Sequence, residues 1–232
     1  MRQCVAEAIG TAFLLAAIVG SGIMAQRLAG GNVAVALLAN ALATGGALVC
    51  LIAAFGPISG AHFNPAVTIA DALQGGLKWT AVPGYVTAQI AGAIAGVAAA
   101  NIMFGLPPLF ASHHARGGGA LLFSEFIATF GLLAVIWGCV RFRSPITPFA
   151  IAGYIIAAYW FTPSTSFANP AVTIARSLSD TFAGIRPSDV VPFVIMQLAG
   201  AVSATLLFAW LVPLRKEEAE AVIVPHHELS HS

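Results

Sequence analysis

The sequence predicts an all-α membrane protein of six transmembrane helices and two re-entrant half-helices, arranged as an inverted repeat. Three observations carry that prediction: the composition, six long apolar segments, and one string of residues that occurs twice. Of the 232 residues, 59% are hydrophobic and only 8% charged, against about a quarter charged in an ordinary soluble domain. The string NPAVTIA stands at residues 64–70 and again at 169–175, 105 positions apart.

The apolar segments run over residues 4–26, 33–55, 80–104, 119–140, 147–163 and 190–213. Most reach the ~20 residues needed to cross the hydrocarbon core. Taken alone, the first could pass for a secretory leader, with Arg2 ahead of an apolar run and small residues near Ala25. The repeat argues otherwise. Glu7 and Thr11 followed by Leu14-Leu15 match Glu125 and Thr129 followed by Leu132-Leu133, and Gln89-Ile-Ala-Gly-Ala answers Gln197-Leu-Ala-Gly-Ala. Removing the first segment would leave Glu125 without a counterpart and one half with two spans. With three spans in each half, the second half enters the membrane from the opposite face. The halves are residues 1–105 and 119–213, joined by an outer connection at 106–118 and followed by a polar cytoplasmic tail at 214–232. Sorting basic residues by alternate loops puts Arg2, Lys78, Arg141, Arg143, Arg215 and Lys216 on one side and Arg27, Arg116, Arg176 and Arg186 on the other. That asymmetry predicts both termini in the cytoplasm of a cell (inner or plasma) membrane protein.

The doubled motif has a physical reading. Asn is a favoured helix N-cap, and Pro suits the first helical position, where its missing N–H costs nothing. Asn64-Pro65-Ala66 and Asn169-Pro170-Ala171 therefore each start a helix, over about 64–75 and 169–180, too short to span. Irregular backbone at membrane depth is tolerated only when buried in protein or lining a watery cavity. Two such half-helices from opposite faces meet N-terminus to N-terminus, each end carrying roughly half a positive charge. The junction repels cations while the Asn amides still donate to a passing neutral molecule.

Ser59-Gly-Ala-His-Phe-Asn-Pro-Ala-Val-Thr68, the second NPA at Asn169, and the paired Glu and Thr at 7/11 and 125/129 resemble the aquaporin (major intrinsic protein) family over nearly the whole chain. The resemblance implies one pore per protomer, a homotetramer in the lipid bilayer, and passive single-file passage of small neutral solutes. It also implies an outer selectivity filter whose positions, carried over by spacing, are Thr44, Ala157, Ser166 and Val172. Most members of the family have Arg at the position of Val172. Water-selective members carry Phe and His at the first two positions, and glycerol facilitators Trp and Gly. Four small residues predict a wide, uncharged, weakly polar filter. Thr173 stands where glycerol facilitators usually have Asp. A bacterial branch associated with arsenic resistance is similar in replacing this Arg by a small apolar residue, which implies arsenite and antimonite, and methylated arsenicals, glycerol, urea and water, as solutes. An ordinary water channel is the alternative, and a proton-coupled secondary transporter the runner-up from another class.

The remaining polar residues divide into support and vestibule. Glu7 and Glu125 are carboxylates within spans; a proton relay is one reading, and the resemblance favours the other, acceptors that fix the half-helix loops. His62 lines the inner vestibule, where a protonation gate is an alternative. Arg176, one helical turn beyond Val172, is expected at a helix end facing headgroups or a neighbouring loop, with a contribution to the outer mouth as the alternative; its repeat counterpart is Asp71. Cys4, Cys50 and Cys139 lack metal or disulfide spacing and read as packing residues. His113, His114, His226, His227 and His231 have irregular spacing and suggest no metal site. Gly92/Gly96 and Gly200/Ala204 read as close helix contacts. No cofactor, no enzymatic nucleophile with a paired base and, at a net charge of +1, no nucleic-acid partner is expected.

Overall fold

The computed structural model describes residues 1–142 and 144–213. Arg143, the tail at 214–232 with its three histidines, and the Arg215 and Lys216 counted for orientation lie outside the described residues. The elements are α1 (Arg2–Leu28), α2 (Val33–Ser59), α3 (Pro65–Gln74), α4 (Val82–Met103), α5 (Gly119–Arg141), α6 (Thr147–Phe161), α7 (Pro170–Arg176) and α8 (Pro187–Leu211). By length and composition, α1, α2, α4, α5 and α8 can each cross a membrane. The sixth segment, α6, has 15 residues, ~22 Å at 1.5 Å per residue. It ends at Phe161 because Thr162, extended at φ −114° and ψ 128°, precedes Pro163, and the proline ring disfavours helical backbone in the residue before it.

The pairing of elements follows the repeat. Helix α1 packs on α4 as α5 packs on α8, while each half-helix reaches across: α3 lies against α8 and α7 against α4. Glycine makes the closest approaches possible. A Cβ on Gly92 would sit 2.1 Å from the carbonyl oxygen of Ala8, one on Gly96 2.1 Å from that of Ala12, and one on Gly200 2.4 Å from that of Phe126. Without side chains there, the backbones of α1/α4 and α5/α8 meet directly, the device that lipid favours because apolar burial gives no drive between helices. The outward faces stay apolar, with Phe13, Leu42, Phe149, Val191 and Trp210 exposed.

The half-helices form as their sequences dictate, with one difference. Asn64 caps α3 by accepting from the Ala66 N–H at 2.9 Å, and Gly75 closes it in the left-handed region at φ 82°. Asn169 caps α7 by accepting from Ala171 and Val172 N–H groups at 2.9 and 3.3 Å. Helix α7 stops at Arg176 rather than near 180. There the connection at 104–118 comes in: the N–H groups of Ser177 and Leu178 still turn back to Ile174 and Ala175, but their carbonyls accept from Ser112 and Phe110 at 2.9 and 3.0 Å, so the helix is not continued.

Gly92→Ala is expected to lower the stability of the folded protein in detergent by about 1–3 kcal/mol. The control Gly46→Ala, on an exposed stretch of α2 where a Cβ meets nothing within 4 Å, is expected to leave it unchanged or slightly higher. Thermal unfolding of the two purified variants checks both.

Candidate functional site

The site is built on two stretches of strained chain. Just before each NPA, non-glycine residues occupy the left-handed region: Ala61 (φ 49°) and Phe63 (φ 50°) in the first half, Thr165 (63°), Ser166 (50°) and Ala168 (48°) in the second. Each such residue costs of order 1–3 kcal/mol and persists only where its surroundings over-determine it. The buried carboxylates do so. Glu7 Oε1 accepts from the His62 N–H (3.0 Å) and Ser59 Oγ (2.6 Å), and Oε2 from the Phe63 N–H (2.7 Å) and Gln89 Nε2 (2.7 Å). Glu125 repeats this with the N–H groups of Phe167 and Ala168 (both 2.9 Å) and Gln197 Nε2 (2.6 Å). Every partner is a donor, which suits an acceptor-only carboxylate. Both side chains are 0% exposed, and their geometry is that of loop supports.

The two half-helices meet end to end. Asn64 Nδ2 donates to the Ala168 carbonyl, and Asn169 Nδ2 to the Phe63 carbonyl, each at 2.8 Å. Each amide nitrogen carries two N–H groups, so one remains on each Asn after the crossed bond is made. Among the described residues, no donor reaches the carbonyls of Ala61, Ser166 or Phe167.

These groups line one narrow cavity of about 60 Å³ that runs from His62 past Asn64 and Asn169 to Val172 and Arg176. Its other walls are apolar: Leu14, Ile18, Leu48 and Ile52 from the first half, Leu132, Ile136, Ile151 and Ile155 from the second. A strip of amide donors and carbonyl acceptors along apolar walls can replace part of the hydration of a neutral molecule in file. The half-helix N-termini and the Asn N–H groups present positive potential there, which opposes a cation.

The outer end differs from the four-residue filter read from the sequence. Val172 and Ser166 line the cavity. Thr44 is buried beside it, its Oγ1 3.3 Å from the hydroxyl of Tyr159, and Tyr159 is the wall residue. Ala157 is not on the wall. Ile151, Ile155 and Tyr159, spaced by four, form the cavity face of α6, and Ala157, two residues from Ile155 and so about 200° around the helix, is exposed on its outer side. Counting back from the NPA assumes a fixed length for the link after α6, and a one-residue difference there rotates the assignment by about 100°. The fourfold spacing of Ile151, Ile155 and Tyr159 was the available signal.

Arg176, expected to face headgroups or a neighbouring loop with the outer mouth as the alternative, bonds the following loop through Nε to the Ala183 carbonyl and stands on the cavity wall. It is 2% exposed, lines the cavity, and its guanidinium carbon lies 3.4 Å from the centroid of the Phe167 ring. Arg116, from the connection, lies 5.0 Å from the same ring and donates to the Gly184 (2.8 Å) and Ser164 (3.2 Å) carbonyls. Partial burial, and then the charges of Arg116 and Arg176, push nearby His114 below its ordinary pKa. At the inner end His62 Nε2 stands 3.5 Å from Asp71 Oδ2, and both are buried. The two ends share a plan: the residue two before each NPA Asn contacts the residue seven after it, His62 with Asp71 and Phe167 with Arg176.

Residues 1–161 match the sequence profile of the Major intrinsic protein family. The chain belongs to that family. It is 55% identical over 211 residues to aquaglyceroporin AqpS of Rhizobium meliloti, covering 91% of this chain and 90% of that protein. Aquaporin NIP1-1 of Zea mays is 32% identical over 230 residues, covering 93% of this chain and 78% of that protein. The fold is that of the aquaglyceroporin from Plasmodium falciparum, with a TM-score of 0.66 over 91% of this chain and 97% of that one at 21% identity. As a major intrinsic protein, the chain is a multi-pass membrane protein of a channel family. Val172 and the second NPA lie beyond the residues the profile matches.

Glu125→Gln would set an amide N–H₂ against backbone donors of the 167–168 segment. A loss of about 2–4 kcal/mol is expected, read as a lower midpoint in thermal unfolding, and Glu7→Gln is expected to behave alike.

Proposed function

We propose that the protein is a passive channel for small uncharged solutes in the cell inner membrane, working as a homotetramer with both termini in the cytoplasm. Its solutes are metalloid hydroxides such as arsenite and antimonite, with methylated arsenicals, glycerol, urea and water. The observation that carries this reading is Val172 on the cavity wall where most of the family has Arg. Valine in place of arginine leaves a planar fork of five donors and a fixed charge out of that part of the wall, leaving room and a weakly polar edge made by Ser166 and the Thr44–Tyr159 hydroxyl pair. The name of the 55% identical relative, an aquaglyceroporin, supports passage of solutes larger than water. Arsenite and antimonite are neutral polyhydroxyl molecules near pH 7, and glycerol presents a similar set of hydroxyls to the strip of donors and acceptors. No enzymatic role is part of this reading.

A water channel is the second reading, and one observation favours it. Tyr159 stands at the outer wall in place of the small residue read from the sequence, which makes the cavity narrower there than four small residues would. Stopped-flow light scattering on proteoliposomes, comparing water, glycerol, urea and arsenite, decides between them. Solute uptake that rises linearly with the gradient supports the wide channel; water flux alone supports the second reading, and accumulation against a gradient would indicate a coupled transporter. Val172→Arg is expected to lower glycerol and arsenite flux by at least about tenfold through aperture and donor geometry, with water flux retained. Unchanged arsenite flux in that variant would remove Val172 from the filter.

A further inference from the structure

Arg176 carries a buried charge that the protein leaves open. Its Nε donates to the Ala183 carbonyl, but among the described residues neither Nη1 nor Nη2 meets an acceptor, and neither is among the fully enclosed unpartnered atoms. No carboxylate pairs with it: the described ion pairs are His62–Asp71, His113–Asp180 and Arg186–Asp189. A buried unneutralised guanidinium is costly unless something specific offsets it. The Phe167 ring supplies part of that offset through its negative face, and Phe167 is itself fixed by its N–H bond to Glu125 and by an edge contact to Phe193 at 5.5 Å. The remaining donors border the cavity. Nearby, Ser166 Oγ is buried without a hydrogen-bond partner among the described residues.

We propose that Arg176 is a specificity-determining residue of the outer mouth: it donates hydrogen bonds to the oxygens of entering neutral polyhydroxyl solutes and bars cations, from one helical turn beyond Val172. This rests on the neutral-solute reading above. The arrangement separates two tasks. Aperture is set at Val172, and charge is set at Arg176, whose guanidinium carbon sits 3.4 Å from the centroid of the Phe167 ring. A purely architectural role, pinning the 177–186 segment through Ala183, is the competing account.

The test uses full-length protein in proteoliposomes, with folding checked by elution at the wild-type oligomer size. Glycerol and water flux are read by stopped-flow, and Na⁺ and proton leak by entrapped dyes under an imposed potential. Arg176→Gln is expected to raise cation leak by about tenfold or more and to lower the glycerol-to-water flux ratio. The double variant Val172→Arg/Arg176→Gln, which returns the charge one turn inward, is expected to restore cation exclusion while lowering glycerol flux further. Arg176→Lys keeps the charge without the planar fork, so exclusion should persist while the glycerol-to-water ratio falls by about threefold. If Arg176→Gln fails to fold, the lysine variant still decides: an unchanged flux ratio overturns the proposal. So does a folded glutamine variant with wild-type leak and ratio, or a leak that the double variant leaves in place. Wild-type vesicles without any solute flux would instead overturn the channel reading, and this inference with it.

Discussion

Everything at the centre of this molecule depends on the hydrogen bonds that two buried carboxylates accept. The chain before each NPA is neither helix nor strand, and membrane depth supplies no bulk water to satisfy its amides. Glu7 takes the N–H groups of His62 and Phe63, and Glu125 those of Phe167 and Ala168. With the amides turned inward to the carboxylates, left-handed residues can turn neighbouring carbonyls toward the cavity. The strained backbone and the polar strip along the pore are therefore one construction. Gln89 and Gln197 complete it, bridging each carboxylate to Thr68 and Thr173 at 2.8 Å, and so tie the loop to the half-helix that follows.

Around that centre, glycine sets the distances. Because Gly92, Gly96 and Gly200 let backbones touch, α1/α4 and α5/α8 form tight pairs that hold Glu7 near Gln89 and Glu125 near Gln197. Residues given no part in selectivity thus fix where the selectivity elements stand. The same logic explains the apolar pore walls: Leu14, Ile18, Leu132 and Ile136 are repeat equivalents on the inward faces of α1 and α5, presented to the cavity by the helix pairs that glycine brings together.

Much of this was legible in the sequence because a repeat constrains by comparison. The doubled NPAVTIA, the matched Glu, Thr and Gln residues, and the Asn-Pro starts placed the helices and half-helices to within a few residues. What failed were inferences from counting across irregular chain. Ala157 was displaced from the wall because helix phase is lost whenever the intervening link differs by one residue, and Tyr159 took the place. Arg176 was read as facing headgroups or a neighbouring loop, with the outer mouth as the alternative, because a lone arginine at a helix end usually does; its burial goes with the Phe167 ring, shared with Arg116 from the connection, a contact invisible to periodicity. The early end of α7 has the same origin, since the carbonyls of Ser177 and Leu178 accept from the connection and are not available to continue the helix.

The crossed Asn64–Ala168 and Asn169–Phe63 bonds also impose an order of assembly. Asn64 is made first, and its partner carbonyl is synthesised 104 residues later. Until then α3 has neither its opposing half-helix nor α8 to lie against, and its exposed N-terminus has only Glu7 and Gln89 to hold the loop that carries it. Closure of the junction is thus a long-range step, made between residues 104 and 106 positions apart. The first half alone supplies only one of the two crossed bonds' amides and one of their carbonyls, so neither bond can form until the second half is in place.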